Sequence, residues 1–271
     1  MFDKHTKDYI ELCYQELLET QNPSIQKDLK LVKKQLSKRE QEMFLKRVLC
    51  VHLSDFLLRD DAESDFDEMF VEMFHEVSSQ LKARDKSIVI KVELEGQENN
   101  IYRIMEIPYF ISLADMAYLV LGSLEADANH LFMITCRQDR FVSPADPGGF
   151  IDTYADEYML SHLNLRKNSR LELLYDFGDD YNIIIRVLEI KKKRNFTIDD
   201  SQVLEGNGYG IWEDEHYALD LYYDNKQDFY KFIEENGFES EWYPLDEEFD
   251  LDVNNEMLIE NFYILKEAYE R

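Results

Sequence analysis

The spacing of hydrophobic residues divides the chain into a helical first third and a longer part built on strands. Residues 3–20 and 24–36 are moderately periodic, and Ser37 and Glu40 have the spacing of a helix capping box. The clearest helical stripe has apolar residues at spacings of three and four, namely Phe66, Met69, Phe70, Met73, Phe74, Val77 and Leu81. We expect this stripe to lie in a core, and a groove for a partner helix is the alternative.

The period of the hydrophobic pattern changes from 3.6 residues to two after residues 82–87, a predicted linker. Strands are predicted to begin behind it. Hairpin strands are predicted at 88–95 and 101–107, further strands at 130–136, 139–142, 171–177 and 181–190, and helices at 112–121, 156–165, 226–236 and 254–270. The strand over 181–190 is apolar on both faces, so we place it centrally in the sheet. Gly122 is predicted to cap the helix before it, and residues 191–215 are predicted to be irregular.

These patterns predict an α+β fold with two domains. Residues 1–86 form an N-terminal helical bundle, and residues 87–271 form an acidic α+β domain with a mixed, mostly antiparallel sheet and packed helices.

Charge is distributed unevenly between the two predicted domains. Residues 1–86 hold 14 basic and 18 acidic residues, whereas residues 87–271 hold 16 basic and 39 acidic ones, a net charge of −23. Nucleic-acid binders gain affinity by neutralising phosphates with Lys and Arg. This balance argues against direct binding to DNA, RNA or an anionic membrane. It leaves two interpretations, a surface that serves solubility and a surface that attracts a basic protein partner.

The cysteines and the hydropathy indicate a cytoplasmic protein. Cys13, Cys50 and Cys136 are few, odd in number and far apart, which favours buried thiols in a reducing compartment over disulfides. No apolar run approaches the roughly 20 residues that span a bilayer, and the first residues, MFDKHTKDYIELCY, lack the apolar core of a secretory signal.

Several segments between about residues 88 and 260 resemble a known family. The best match is the segment Leu174–Tyr181, LYDFGDDY, which is similar to a Y-D-F-G-D-x-W strand–turn–strand. Weaker matches are Ile101–Ile104, the helix start at Ser112–Met116, the strand start His130-Leu131-Phe132, Leu204–Gly208, Glu213-Asp214 and Pro244–Asn254. Together they resemble the plasmid pRiA4b ORF-3-like family.

The resemblance implies an α+β fold and a link to mobile elements, and it implies no reaction. Tyr102 and Tyr181 stand where the family usually has tryptophan, and His216-Tyr217 replaces a glycine pair. The helical residues 1–86 lie outside the resemblance.

Acidic residues at the end of the 171–190 hairpin are the main candidates for chemistry. Asp176, Asp179, Asp180, Glu213 and Asp214 are candidate ligands for a divalent metal ion, since hard cations prefer carboxylate oxygens. The alternatives are turn hydrogen bonds, with Gly178 at positive φ and Asp176 paired with Arg103, or a pocket for another ligand.

Two further groups of residues are candidates for function. His216 lies beside two carboxylates in sequence and is the best candidate for acid–base work. A binding set is predicted from Tyr175, Asp176, Asp179, Asp180, Arg103 and Trp212.

The leading functional hypothesis is a non-enzymatic interaction or regulatory protein that presents an acidic surface to a basic protein partner. No cofactor is expected under this hypothesis. The alternative is a metal-dependent hydrolase or nuclease-like enzyme that uses the loop carboxylates.

Overall fold

The computed structural model describes residues 4–36, 38, 41–42, 44–46, 49, 83–147, 153–238, 243 and 249–270. The chain divides into two compact units, Met1–Ala83 and Arg84–Arg271.

The first unit contains two helices that pack on each other. α1 spans Lys4–Glu19 and α2 spans Pro23–Gln35, where Asn22 caps α2 by accepting the Ser24 N–H at 3.0 Å. Their inward side chains join one apolar core with Leu36, Leu45 and Leu49, and the members of that core in these two helices are Ile10, Cys13, Leu17, Ile25, Leu29 and Val32. The predicted capping box at Ser37 and Glu40 and the stripe over residues 66–81 lie outside the described residues, so a complete N-terminal bundle stays a prediction.

The second unit is built on one sheet, which has eight strands in the described residues. The strands are β1 Lys86–Leu94, β2 Tyr102–Pro108, β3 Phe132–Cys136, β4 Asp139–Val142, β5 Thr153–Tyr154, β6 Arg170–Tyr175, β7 Tyr181–Lys192 and β8 Gln202–Asn207. Their order is β5-β4-β3-β6-β7-β1-β2-β8, and only the β4–β5 pair is parallel within this sheet as described. The predicted α+β class with a mostly antiparallel sheet is confirmed.

β7 lies in the middle of the sheet, as its apolar sequence predicts. It pairs with β6 on one side and with β1 on the other, and Ile183, Ile185 and Val187 are fully buried. The turn between β6 and β7 therefore projects from the middle of the sheet, and a site built on paired strands is held precisely.

Helices cover the sheet and fix its core. They are α3 Leu113–Ser123, α4 His216–Asp224, α5 Lys226–Asn236 and α6 Leu251–Tyr269. Aromatic contacts join α3 to α6, since the Tyr118 ring stacks on the Tyr269 ring at 5.5 Å. No helix among the described residues is both long enough and apolar enough to cross a membrane.

The prediction that Gly122 caps α3 is wrong. The helix continues through Ser123 and is capped by Leu124. A Cβ atom on Gly122 would lie 3.2 Å from Cβ of Asn261 in α6. The glycine therefore serves the close approach of two helices.

The region predicted to be irregular, residues 191–215, contains the edge strand β8. Only Val203 in β8 points into the core, so the strand has little hydrophobic signal of its own. Pairing with β2 forms it instead. The segment predicted as a helix over 156–165 is a 3₁₀ turn over Leu160–Leu163, and α4 follows directly on residues predicted as irregular.

Candidate functional site

The β6–β7 turn is held by backbone geometry around Asp176. Asp176 is 4% exposed and has φ 55°, and its Oδ1 accepts the Gly178 N–H at 2.9 Å. Its carbonyl oxygen accepts the Asp180 N–H at 2.7 Å, and Asp180 has φ 56°. The prediction that Gly178 takes the positive φ is wrong, because the two aspartates take it; aspartate tolerates this region better than most residues.

Asp176 belongs to a cluster around His130, which we call the His130 group: His130, Asp176, Glu213 and Asp214. His130 Nδ1 lies 3.3 Å from Asp176 Oδ1, and His130 Nε2 lies 3.2 Å from Asp214 Oδ1 and 3.6 Å from Glu213 Oε2. One donor atom each from His130, Asp176 and Asp214 lie within 4.8 Å of one another, a separation compatible with a metal site.

Glu213 is fixed in this group by two hydrogen bonds. Its Oε1 accepts the Tyr175 hydroxyl at 2.8 Å and the Asp127 backbone N–H at 2.7 Å. Burial raises the pKa of the Glu213 carboxyl despite these bonds. Burial, together with the Glu213 charge, also raises the pKa of the Tyr175 phenol, so the phenol remains a hydrogen-bond donor.

A second cluster lies around His216, which we call the His216 group: His216, Asp179, Tyr181 and Asp220. His216 Nδ1 lies 2.6 Å from the Asp179 carbonyl oxygen, and because a carbonyl can only accept, Nδ1 carries the proton. The imidazole stacks on the Tyr181 ring at 4.2 Å, and the His216 backbone N–H donates to Asp179 Oδ2 at 3.1 Å. These contacts use His216 to join α4 to the hairpin turn.

The five carboxylates predicted as metal ligands therefore do not form one site, because they contact different residues. Asp176, Glu213 and Asp214 face His130, whereas Asp179 binds His216. Asp180 lies in the same turn and donates its N–H to the backbone.

Arg103, predicted to bind or to pair with Asp176, lies elsewhere in the core. It is fully buried and donates to the carbonyl oxygens of Ser123, Tyr102, Asn207 and Gly208. Burial lowers the pKa of its guanidinium to about 10. The proposed pair with Asp176 is not formed, because backbone carbonyls bind the guanidinium and His130 and Gly178 contact the carboxylate.

Trp212, also in the predicted binding set, is a core residue. It is 5% exposed, its ring packs on the Tyr243 ring at 5.1 Å, and its carbonyl oxygen accepts the Tyr181 hydroxyl. Its indole is therefore not presented at the surface. Tyr175 is likewise buried, and reaches the His130 group only through its hydroxyl.

The residue that sequence reasoning missed is His130. In sequence it only begins a strand, 46 positions from Asp176, as the residue numbers show. One feature of the sequence could have indicated its role. Three separate segments of the family resemblance contain His130-Leu131-Phe132, Asp176 and Glu213-Asp214. The fold brings these three segments to one place.

Comparisons with known proteins found a family and a similar crystal structure. Residues 86–252 match the sequence profile of the family described as plasmid pRiA4b ORF-3-like protein. The crystal structure of a protein of unknown function from Methanosarcina mazei Go1 is similar, with 17% identity and a TM-score of 0.46, and the alignment covers 56% of this chain and 91% of that one. No curated protein matches the chain.

Proposed function

The chain belongs to the plasmid pRiA4b ORF-3-like family, and we propose that this member is a non-enzymatic interaction protein whose acidic unit binds a basic protein partner. The observation that carries the proposal is the outer face of α6, which combines exposed apolar side chains with carboxylates. We call this surface the α6 face: Asp252, Val253, Glu256, Met257, Glu260, Ile264 and Glu267.

The α6 face carries apolar side chains at positions where an exposed helix surface is usually polar. Val253 is 57% exposed, Met257 42% and Ile264 55%. These positions recur at spacings of four and seven, so the three side chains follow one stripe along the helix. The opposite stripe, with Leu258, Phe262 and Leu265, is buried. Exposed apolar stripes rimmed by polar residues are typical of interaction sites.

Carboxylates surround the apolar stripe. Asp252, Glu256, Glu260 and Glu267 are all exposed on the same helix. Over residues 195–271 the chain has 22 acidic and 4 basic residues. The surplus supports a partner with lysine and arginine around an apolar strip, because complementary charges speed encounter and select the partner.

Several basic side chains of the second unit pair with acidic residues of the same unit. Lys91 and Arg186 pair with Glu93, and Arg170 pairs with Glu172. On α6 itself, Lys266 pairs with Asp115 of α3 and with Glu270. Asp252, Glu256 and Glu260 of the α6 face are exposed, so a partner can reach these carboxylates.

The proposal has two further parts, a location in the cytoplasm and a link to mobile elements. The buried cysteines Cys13 and Cys136 support a cytoplasmic location. The plasmid in the family's description supports a role linked to mobile elements.

The test uses the full chain and a synthetic amphipathic peptide of lysine and leucine as the probe, with binding followed by fluorescence anisotropy. Replacing Met257 and Ile264 with serine should weaken binding by about tenfold or more, because buried apolar anchors each contribute over about 1 kcal/mol. Raising the ionic strength from about 0.05 M to 0.5 M should weaken binding of the wild type as well.

The matched control replaces the exposed aromatic residues Tyr217 and Tyr230 of α4 and α5 with serine. This double variant removes comparable apolar surface elsewhere in the same unit and should bind like the wild type. Equal loss in both double variants, or binding that ignores salt, would contradict the proposal.

A further inference from the structure

His130 presents both ring nitrogens to carboxylate oxygens. Its Nε2 atom is buried and has no hydrogen-bond partner. Two carboxylate oxygens lie near this nitrogen, Asp214 Oδ1 at 3.2 Å and Glu213 Oε2 at 3.6 Å. A neutral imidazole nitrogen without a proton would face these oxygens as one acceptor facing others, which is unfavourable unless a cation or a proton lies between them.

The charge of the His130 group is not balanced by neighbouring cations. Among the described residues, no lysine or arginine forms an ion pair with Asp176, Glu213 or Asp214, and each of these carboxylates faces His130 instead. Asp176 is buried, where an uncompensated carboxylate is costly. A bound cation would remove this cost.

The donors are positioned by the fold before any ion arrives. Asp176 is held by the Gly178 N–H and by its own N–H, which donates to the Leu131 carbonyl oxygen at 3.1 Å. The carbonyl oxygen of His130 accepts the hydroxyl of Tyr269 at the end of α6. The side chain of Asp214, by contrast, is 77% exposed and free to move toward an ion. His130 and Asp176 would therefore supply ligand atoms that are already in place, and Asp214 would supply a ligand atom that moves toward the ion on binding.

The geometry points to a binding site for one divalent transition-metal ion of the Zn²⁺ or Mn²⁺ kind, formed by His130, Asp176 and Asp214. An imidazole nitrogen with carboxylate oxygens favours such ions over Mg²⁺ and Ca²⁺, which prefer oxygen alone. Metal–ligand bonds of about 2.0–2.2 Å require the three ligand atoms to lie somewhat closer together than the 4.8 Å within which they lie here. A movement of the Asp214 side chain can supply that adjustment.

This site is separate from the α6 face and does not depend on the proposed partner. It also alters the metal hypothesis raised by the sequence, because it adds His130 and omits Asp179, Asp180 and Glu213. A metal-dependent hydrolase, the alternative function, would first require an ion here.

The experiment titrates chelator-treated full chain with Zn²⁺ alone and with Mn²⁺ alone, and with Mg²⁺ alone as the comparison ion, using isothermal calorimetry and thermal unfolding. We expect one ion per chain and a rise in melting temperature for at least one of the two ions. Asp214→Asn should weaken binding by about tenfold or more, and His130→Ala should abolish it. Asn accepts the positive φ of Asp214, 59°, so this variant should keep the fold.

The matched control is Asp180→Asn, which removes the same charge from the β6–β7 turn that also holds Asp176, and this variant should bind the ion like the wild type. Three outcomes would overturn the inference: no binding of either ion, equal affinity in Asp214→Asn and the wild type, or affinity for Mg²⁺ equal to that for Zn²⁺ and Mn²⁺. Circular dichroism of each variant without metal shows whether lost binding reflects lost fold.

Discussion

The His130 group and the His216 group both join a histidine to aspartates of one β6–β7 turn, yet they are arranged for different tasks. In the His216 group, Nδ1 binds a carbonyl oxygen and the ring stacks on Tyr181. In the His130 group, both ring nitrogens face carboxylates, and the ring contacts Tyr175 edge-on at 5.9 Å. The first arrangement uses the imidazole to join elements, and the second leaves it to hold an ion.

The difference shows that nearness of carboxylates in sequence does not identify the histidine that can do chemistry. His216 follows Glu213 and Asp214 closely in the chain, but those carboxylates face His130 in space. A histidine whose nitrogen is committed to a backbone carbonyl has one less site for a ligand. Three measurements test whether the two groups differ in this way.

The largest expected effect is on stability at the His216 group. Tyr181→Ala should lower the free energy of unfolding by about 3–5 kcal/mol, as for large aromatic residues removed from a core. Tyr181 is fully buried, stacks on His216 and donates to the Trp212 carbonyl oxygen. Urea unfolding followed by circular dichroism measures the loss. The exposed Tyr217→Ala is the control and should change stability by less than about 0.5 kcal/mol.

A smaller effect should separate the two groups directly. His216→Ala should lower the free energy of unfolding by about 1–3 kcal/mol, because it removes a hydrogen bond and a stacked ring. Asp214→Asn, in the His130 group, should change it by less than about 0.5 kcal/mol without metal, because that side chain is mostly exposed. Equal losses in the same urea experiment would show that the two groups do not differ as described.

The smallest effect is a pH dependence of Tyr181. Burial, with the nearby Asp179 charge, raises the pKa of the Tyr181 phenol above its ordinary value. The folded state then keeps a proton that the unfolded state releases near pH 10, so this residue's contribution is complete below about pH 10 and is lost as the pH rises further. Tyr181→Phe should cost about 1 kcal/mol at about pH 8, through the lost hydrogen bond.

The cost of Tyr181→Phe should shrink between about pH 8 and pH 11, because only the wild type loses stability by ionisation. Urea unfolding at both pH values measures the two gaps. A gap that stays constant or grows would contradict a raised pKa at this position.

Strong periodic segments were predictable because each contains its own hydrophobic signal. The strand at residues 181–190 and the helices at 226–236 and 254–270 were predicted close to their observed bounds. β8 was missed because its backbone is held by pairing with β2, and Gly122 was misplaced because its role is contact with Asn261. Such features depend on partners distant in the chain.

The candidate site was predictable only in part for the same reason. The β6–β7 turn, Asp176 and Asp214 were identified from acidic residues near a hairpin. Arg103 was misplaced because no local pattern shows that four carbonyl oxygens converge on a buried guanidinium. His130 was missed because the carboxylates that surround it follow later strands and loops.

By itself the sequence determined the α+β class, the central strand, the acidic character of the second unit and membership of a family, since periodicity, composition and motifs are local properties. Only the tertiary structure decided which carboxylates meet which histidine and which stripe of α6 remains exposed. Those outcomes follow from strand order and helix packing, which bring together residues far apart in the chain and give each side chain its neighbours.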